Sequence, residues 1–240
     1  MNTMSSRHDF IIHRFEEFSR IAEVLAEGFV PNYHEEDLRL STDSADNMYM
    51  GIPMVSFGDI EDTDVFEFMK NADPSYGYYA IMMKKEWALR QQWMSPVWYI
   101  TDDMLYRLSR HWKDILETGI VGYCKKYISE WKGRPYNNYA EREWRYTVPI
   151  TEVKWILTKE AYNTWRRYPV LKKRPAPTEE LKKHTLKFDI EDIEGIVVSD
   201  KKDREEITTF LHTTEIFSGA RRNLSSTEIN RLLELVIITE

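Results

Sequence analysis

The segment Tyr76-Gly-Tyr-Tyr-Ala-Ile-Met-Met83 carries the strongest β-strand signal in the chain. Its side chains are aromatic or apolar at every position except the glycine, which is typical of a strand buried on both faces of a sheet. We therefore predict a central strand over residues 76–83. The fold is then expected to be organised around a sheet that contains this strand.

Segments on either side of this strand predict further strands and helices. Phe10–Phe15 is apolar enough for a strand, and Glu16–Glu27 has apolar residues at helical spacing. Near the end of the chain, Ile193–Ser199 predicts a strand and Asp203–Leu211 a helix. Because strands and helices alternate irregularly, the pattern favours an α+β fold, with a mixed sheet flanked by helices, over a regular βαβ series.

Four other segments give predictions that matter for a site. The polar segment Asn32–Gly51 predicts a loop that could cover a ligand. Met104–Glu117 predicts a long helix, and Val121–Trp131 predicts a second helical piece. Tyr139–Val148 follows a turn-like Lys-Gly-Arg-Pro sequence and predicts a strand.

Size and composition favour one soluble, cytoplasmic domain. A chain of 240 residues can bury one substantial core, so we predict a single domain over residues 10–240 and a disordered N-terminus over residues 1–9. The formal net charge of -7 argues against indiscriminate duplex binding, which needs a positive field. No stretch is long and apolar enough to cross a bilayer, and a single cysteine, Cys124, suits a reducing compartment.

The stretch Glu141-Arg142-Glu143-Trp144-Arg145-Tyr146 is the strongest candidate for chemistry. On an extended strand, residues two apart are separated by about 6.5 to 7 Å and point to the same face. Glu141, Glu143 and Arg145 would then share a face, and paired acids at this spacing can act on a sugar. A solvated strand face with alternating charge, or an ion pair between Arg145 and a glutamate, explains the same pattern.

Other candidate residues are scattered along the chain. No glycine-rich phosphate-binding sequence occurs, and the six histidines show no metal-binding spacing, so no metal is expected. His13 lies in an apolar strand, where it could bond a ligand hydroxyl or be a half-buried structural group. Ser56, in Val55-Ser56-Phe57, is at a position that is most often structural.

These motifs follow one another in an order that resembles ADP-ribosyltransferase-like domains and, more closely, the AbiGi family of abortive phage-resistance proteins. The resemblance extends from about residue 10 to the end of the chain. The segments that carry it are His13-Arg14-Phe15, Gly28-Phe29-Val30-Pro31, Pro53–Asp59 (Pro-Met-Val-Ser-Phe-Gly-Asp), Tyr78–Ala88, Pro96–Tyr99 and Glu141–Arg145.

The resemblance to transferases implies NAD as a substrate and a role for each motif. His13 or Arg14 would hold the nicotinamide ribose or a cofactor phosphate, and Ser56 would support the scaffold beneath it. Tyr76, Tyr78 or Tyr79 would stack on nicotinamide, with Tyr78 taken as the candidate, although burial in the strand is the more common role for such residues. Glu143 would bind the ribose 2'-hydroxyl and stabilise an oxocarbenium-like state. Glu141 would position or deprotonate the acceptor.

Three functions therefore stay open at the level of the sequence. The first is an abortive-infection protein that uses NAD to modify a macromolecule, either a protein or a nucleic acid. The second follows from the AbiGi resemblance, since these proteins are described as one partner of a two-gene phage-resistance module and as an antitoxin. Such a protein would be catalytically silent and would bind a toxin protein. The third is a nucleic-acid-binding module that uses a basic segment and its neighbouring rings: Trp165, Arg166, Arg167, Tyr168, Lys172, Lys173 and Arg174.

Overall fold

The structure, a computed structural model, describes residues 10–40, 48–60, 65, 69, 77–131, 133–167 and 175–239. The labelled helices are α1 (Ser19–Glu27), α2 (Lys85–Arg90), α3 (Asp102–Ser109), α4 (Trp112–Thr118), α5 (Lys159–Arg167), α6 (Glu179–Lys182), α7 (Lys201–Thr213) and α8 (Ser226–Glu234). The strands are β1 (Phe10–Phe15), β2 (Asn32–Asp37), β3 (Tyr49–Asp59), β4 (Tyr79–Lys84), β5 (Met94–Pro96), β6 (Trp98–Ile100), β7 (Cys124–Lys126), β8 (Ile128–Trp131), β9 (Arg134–Asn137), β10 (Glu143–Thr147), β11 (Ile193–Val198), β12 (Ile216–Phe217), β13 (Ala220–Arg221) and β14 (Val236–Ile238).

The chain forms two compact units, each of which is described by itself. Unit 1 comprises Met1–Phe29, Phe57–Gln91 and Thr185–Glu240, and unit 2 comprises Val30–Ser56 and Gln92–His184. Both units combine helices with sheet strands, and parallel and antiparallel pairs occur together. The predicted α+β fold class is therefore confirmed. In the described part of the chain, no helix has the length and apolar character needed to cross a membrane.

In unit 1, the predicted central strand is β4, which lies between β1 and β11. β1 pairs with β4 along its whole length, from Phe10 opposite Lys84 to Phe15 opposite Tyr79, and the two strands are antiparallel. β4 starts at Tyr79, later than predicted, and Tyr76 lies outside the described residues. Gly77 has a left-handed φ of 84° and lies against the backbone of Phe15. Any side chain at that position would collide with this backbone.

The core of unit 1 includes an apolar cluster on one face of the sheet. Buried side chains from β1, β4 and β11 pack with apolar residues that follow β3, and burial of this apolar surface is the main driving force for folding the unit. The cluster consists of Phe10, Ile12, Ile60, Met69, Ala80, Met82 and Val197.

Unit 2 is built on the strands β2, β3, β10 and β5, which pair in that order. β2 is antiparallel to β3, and β10 is antiparallel to β5. A short parallel pair, β6 with β7, and a hairpin, β8 with β9, complete the unit. Its apolar core is formed by Leu38, Met48, Met50, Ile52, Met54, Ile100, Leu105, Trp112, Val121, Cys124 and Trp155.

The prediction of a loop over Asn32–Gly51 is wrong at both ends. Residues 32–37 form β2, and β3 already begins at Tyr49. The residues from 41 to 47 lie outside the described part of the chain. The strand was missed because one of its buried positions is a glutamate, Glu36, so the apolar alternation that marks a strand is absent.

Two helix predictions in unit 2 also need correction. The long helix predicted over Met104–Glu117 is divided into α3 and α4. The helix predicted over Val121–Trp131 is wrong, because Ile120–Tyr123 is a 3-10 helix and the residues after it form β7 and β8. Pairing of β7 with β6 and of β8 with β9 is a tertiary effect that local periodicity does not report.

Candidate functional site

The strand β10 places two charged side chains on one buried face of unit 2. Glu143 and Arg145 are two residues apart, and their exposed fractions are 7% and 2%. Arg145 Nε lies 2.8 Å from Glu143 Oε1, and Arg145 Nη2 lies 3.1 Å from Glu143 Oε2. This bidentate geometry is the strong form of an ion pair. The ion pair that the sequence left as one alternative is confirmed, and this face of the strand is not solvated.

The predicted placement of Glu141 on the same strand is wrong. Asn138–Glu141 is a 3-10 helix, and Arg142 has a left-handed φ of 44°, so the strand begins only at Glu143. Glu141 nevertheless reaches the site from outside the strand. Lys125 Nζ lies 2.5 Å from Glu141 Oε2 and 2.9 Å from Glu143 Oε2, so one ammonium group joins the two predicted acids.

Each of the two oxygens of the Glu143 carboxylate accepts two hydrogen bonds. Oε1 accepts from Ser56 Oγ at 2.7 Å and from Arg145 Nε at 2.8 Å. Oε2 accepts from Lys125 Nζ at 2.9 Å and from Arg145 Nη2 at 3.1 Å. A carboxylate has about four lone-pair sites, so these four bonds use its accepting capacity.

Arg145 is held from several directions. Its Nη2 donates to Glu36 Oε2 at 2.6 Å, and its Nη1 donates to the carbonyl oxygens of Gly122 at 3.0 Å and Cys124 at 3.3 Å. Gly122 packs so closely that a Cβ there would lie 2.7 Å from a methyl group of Thr147. The absence of a side chain lets the backbone of Gly122 pack against Thr147 and Trp155. These bonds make Arg145 the centre of a buried ion network formed by Glu36, Lys125, Glu141, Glu143 and Arg145.

The two carboxylates that contact Arg145 have pKa values shifted in opposite directions. Burial alone would raise the pKa of Glu143, but the charges of Arg145 and Lys125 outweigh burial and hold it far below its ordinary value of 4.5. For Glu36, burial is the stronger effect, so its pKa lies above 4.5 despite the same two cations. Glu143 is therefore the firmly ionised member, whereas Glu36 is the member whose charge the fold tolerates least.

The remaining members of the site are also coupled to these charges. Burial would lower the pKa of Lys125, but Glu143 and Glu36 outweigh burial and raise it, so the ammonium stays charged. The backbone N–H of Glu143 donates to the Tyr99 hydroxyl at 2.7 Å. Burial is the main cause that raises the pKa of Tyr99 to about 12, so this phenol is neutral at pH 7.

Of the predicted site residues, Glu141, Glu143 and Ser56 come together in unit 2. The others lie in unit 1. His13 is half-buried, and its ring centroid is 4.8 Å from that of Phe15 and 5.4 Å from those of Phe29 and Phe57. The roles predicted for His13, Arg14 and Tyr78 in binding NAD stay predictions.

Arg14 and Tyr78 occupy different environments within unit 1. Arg14 donates from Nε and Nη2 to the carbonyl oxygen of Gly77, at 3.2 and 2.5 Å. Tyr78 precedes β4 and is exposed, so it is not part of the buried strand in which the sequence placed it.

Sequence reasoning missed three residues of the site: Glu36, Lys125 and Tyr99. Lys125 was assigned to a helix, and Glu36 to a loop. A usable signal was present at Tyr99, because it lies in the apolar run Val97–Ile100. In the structure, Tyr99 of β6 is opposite Lys125 of β7. That register depends on long-range pairing, which the sequence pattern does not specify.

The basic segment proposed for nucleic-acid binding lies mostly outside the described residues, because 168–174 are not described. Trp165, at its start, packs against Tyr33 and Tyr162 with ring centroids 5.3 and 5.4 Å away. Arg166 lies 4.0 Å from Glu35. This part of the segment is thus engaged with unit 2 itself.

Fold and site together define an α+β protein whose unit 2 contains a buried, fully paired ion network. Residues 27–118 match the family described as "Putative abortive phage resistance protein AbiGi, antitoxin". The match confirms the predicted resemblance to AbiGi proteins over this range, which is shorter than the range expected from the sequence. No curated protein and no solved structure matches the chain. The resemblance to ADP-ribosyltransferases is not shown by these comparisons.

Proposed function

We propose that this protein acts in abortive phage resistance as an antitoxin that binds a toxin protein in the cytoplasm, without catalysis of its own. The proposal is supported by the match of residues 27–118 to the AbiGi family, whose description includes the antitoxin role. In this function, the ion network holds the strands of unit 2 in place, and recognition takes place on the surface.

The observation that carries the proposal is the bonding of Glu143. In the predicted transferase role, the carboxylate of Glu143 would have to accept a hydrogen bond from the ribose 2'-hydroxyl of NAD. Glu143 instead accepts from Ser56, from Lys125 and twice from Arg145, which matches its capacity of about four bonds. The residues as they are bonded therefore do not fit a ribose at this carboxylate. A saturated buried network is better suited to stabilising a fold.

The test is co-expression of this chain with the second protein of its module in bacteria. We expect growth arrest by the second protein alone and normal growth when both are present. The informative variant is Glu141→Gln, because Glu141 is a predicted catalytic acid but lies at the edge of the network. Rescue by this variant at the wild-type level is expected. Loss of rescue by a folded Glu141→Gln protein would contradict a non-catalytic role.

A second candidate function is NAD-dependent ADP-ribosylation of a protein or nucleic acid. The observation that favours it is the convergence of Ser56, Glu141 and Glu143, three residues predicted for this chemistry, around one ammonium group. NAD would have to replace one of the donors to Glu143, and of the two cations Lys125 is the more exposed, at 18% against 2% for Arg145. His13, Arg14 and Tyr78 are the cofactor-binding residues proposed for it.

Calorimetric titration of NAD into wild type and Glu143→Gln, with nicotinamide release followed in the same samples, separates the two candidates. Binding by wild type together with release that depends on Glu143 would support the transferase. Absence of binding and release, in a preparation that still rescues growth, is the result expected from the antitoxin proposal. Nucleic-acid binding through Arg166 and its neighbours remains a third proposal, tested by salt-dependent binding of an oligonucleotide.

A further inference from the structure

Three tyrosine rings form a partly exposed surface directly beside the ion network of unit 2. The ring centroids of Tyr99 and Tyr139 are 5.4 Å apart at an angle of 77°, and those of Tyr127 and Tyr139 are 5.9 Å apart and stacked. Tyr139 is 53% exposed and Tyr127 is 38% exposed. We define this group, Tyr99, Tyr127 and Tyr139, as the tyrosine surface.

Hydrogen bonds to the neighbouring backbone hold the tyrosine surface in place. Tyr99 accepts a hydrogen bond from the backbone N–H of Glu143, and it lies opposite Lys125 in the pairing of β6 with β7. The backbone N–H of Asn138 donates to the carbonyl oxygen of Tyr127 at 3.0 Å, and the side chain of Asn138 donates to the carbonyl oxygen of Lys126 at 2.7 Å. The rings therefore lie on a braced backbone, and little conformational entropy would be lost when a partner covers them.

Tyrosine in such a setting is typical of binding surfaces. Its ring offers a large contact area with few rotatable bonds, and its hydroxyl can bond to a partner, so tyrosine is enriched at the centres of interfaces. Grouped rings in contact with one another also expose more continuous apolar area than the scattered side chains that any surface carries.

The charges beside the tyrosine surface indicate what kind of partner it fits. The network contains three carboxylates, Glu36, Glu141 and Glu143, against two cations, Lys125 and Arg145. Even with a proton on Glu36, the network is not positive. The whole chain carries a formal net charge of -7. Tyrosine faces attract Arg and Lys through cation–π contacts, whereas a phosphate backbone finds no positive field in this network.

We infer that the tyrosine surface docks an arginine- or lysine-bearing segment of a partner protein. The inference rests on the proposed antitoxin function, because it names the surface with which that function would be carried out. A cationic side chain would lie against the rings of Tyr127 and Tyr139. Overall charge would steer a basic partner toward the protein.

The test measures the dissociation constant between the purified full chain and the second protein of the module. Tyr139→Ala and Tyr127→Ala are each expected to weaken binding by about tenfold or more, as truncation of an interface anchor does. Tyr139→Phe keeps the ring face and should bind within about threefold of wild type, since the aromatic face carries the contact. High salt should weaken the complex, because the attraction is partly electrostatic.

Tyr106→Ala is the matched control, since Tyr106 is a tyrosine of the same unit that is 48% exposed on α3 and whose ring contacts Arg110. This variant is expected to bind like wild type. If wild type binds but Tyr139→Ala and Tyr127→Ala bind as tightly as Tyr106→Ala, the tyrosine surface is excluded while the antitoxin function stands. If wild type does not bind the second protein, the proposed function itself fails.

Two further outcomes would overturn the inference. An affinity that does not change with salt would exclude a cationic partner segment. Binding of a single-stranded oligonucleotide that is lost in Tyr139→Ala would assign the rings to nucleic-acid stacking instead.

Discussion

A polar side chain on a sheet strand is accommodated in two different ways in the two units. In unit 1, His13 on β1 is surrounded by the rings of Phe15, Phe29 and Phe57. In unit 2, Arg145 on β10 is surrounded by carboxylates and carbonyl oxygens. Aromatic packing depends on shape and tolerates exchange of similar volumes, whereas removing the central charge of a buried network leaves its partners unsatisfied.

This difference determines whether a substitution at a candidate residue tests function or only stability. Removing one partner from a buried ion pair leaves an uncompensated charge, which costs more than the pair itself contributes. A substitution in the network can therefore abolish activity through unfolding alone. A volume-matched substitution at His13 is expected to cost less, because it can keep the packing against Phe15, Phe29 and Phe57. A loss of function in such a folded variant would point to a ligand. Each of the following predictions tests this contrast.

The largest effect is expected for Arg145→Met. The substitution leaves Glu143 and Glu36 buried without their main partner, and we expect a loss of about 3 to 5 kcal/mol in the free energy of unfolding. The measurement is urea-induced unfolding followed by tryptophan fluorescence. Arg107→Met serves as control, because Arg107 forms an exposed i,i+4 ion pair with Asp103 and its loss should cost less than about 0.5 kcal/mol. Equal costs for the two variants would mean that the network is not a stabilising element.

The next effect is a difference between two matched amide substitutions. Glu143→Gln is expected to cost about 2 to 3 kcal/mol, because charged hydrogen bonds to Arg145 and Lys125 become neutral or are lost. Glu36→Gln should cost less than about 1 kcal/mol, because burial already disfavours the Glu36 carboxylate and the amide relieves that penalty. Urea-induced unfolding of both variants and the wild type at neutral pH measures the two losses in the free energy of unfolding. A larger cost for Glu36→Gln would reverse the assigned roles of the two carboxylates.

Stability should fall in acid because of Glu143. Its pKa is lower in the folded protein than the ordinary value of 4.5, so its contribution is present above about pH 4.5 and is lost as the pH falls toward the folded pKa. The raised pKa of Glu36 has the opposite effect on stability, because protonation of this carboxylate in acid favours the folded state. We therefore expect the stability difference between wild type and Glu143→Gln to narrow by more than about 1 kcal/mol between pH 7 and pH 3. A constant difference across that range would contradict the pKa shift of Glu143.

The sequence predicted those parts of the fold that local pattern determines. β4 is apolar throughout and was recognised, as were β1 and the helix α1. β2 and β7 were missed, since each depends on pairing with a distant strand. The polar sequence of β2 forms a strand because β3 supplies a full antiparallel ladder beside it, from Asn32 opposite Met54 to Asp37 opposite Tyr49.

The sequence predicted only the part of the site that is determined by the alternation of side chains along a strand. Glu143 and Arg145 were correctly placed on one face, because period 2 holds within β10. Glu141 lies beyond the left-handed Arg142, a conformation that a residue other than glycine rarely adopts and that sequence therefore does not indicate. Lys125 and Glu36 reach the network from other strands, so only tertiary structure brings them there.

The smallest effect is expected for His13→Leu in unit 1. Leucine has a similar volume and can keep the contacts with Phe15, Phe29 and Phe57, so we expect a loss of less than about 1.5 kcal/mol. Ile12→Ala, at the fully buried neighbouring position, should cost about 2 to 5 kcal/mol and shows that the assay responds to this strand. If His13→Leu costs as much as Arg145→Met, His13 is part of an essential polar arrangement, and the contrast between the two units fails. If it costs little while NAD binding is lost, the predicted cofactor role of His13 gains support that no loss of folding can explain.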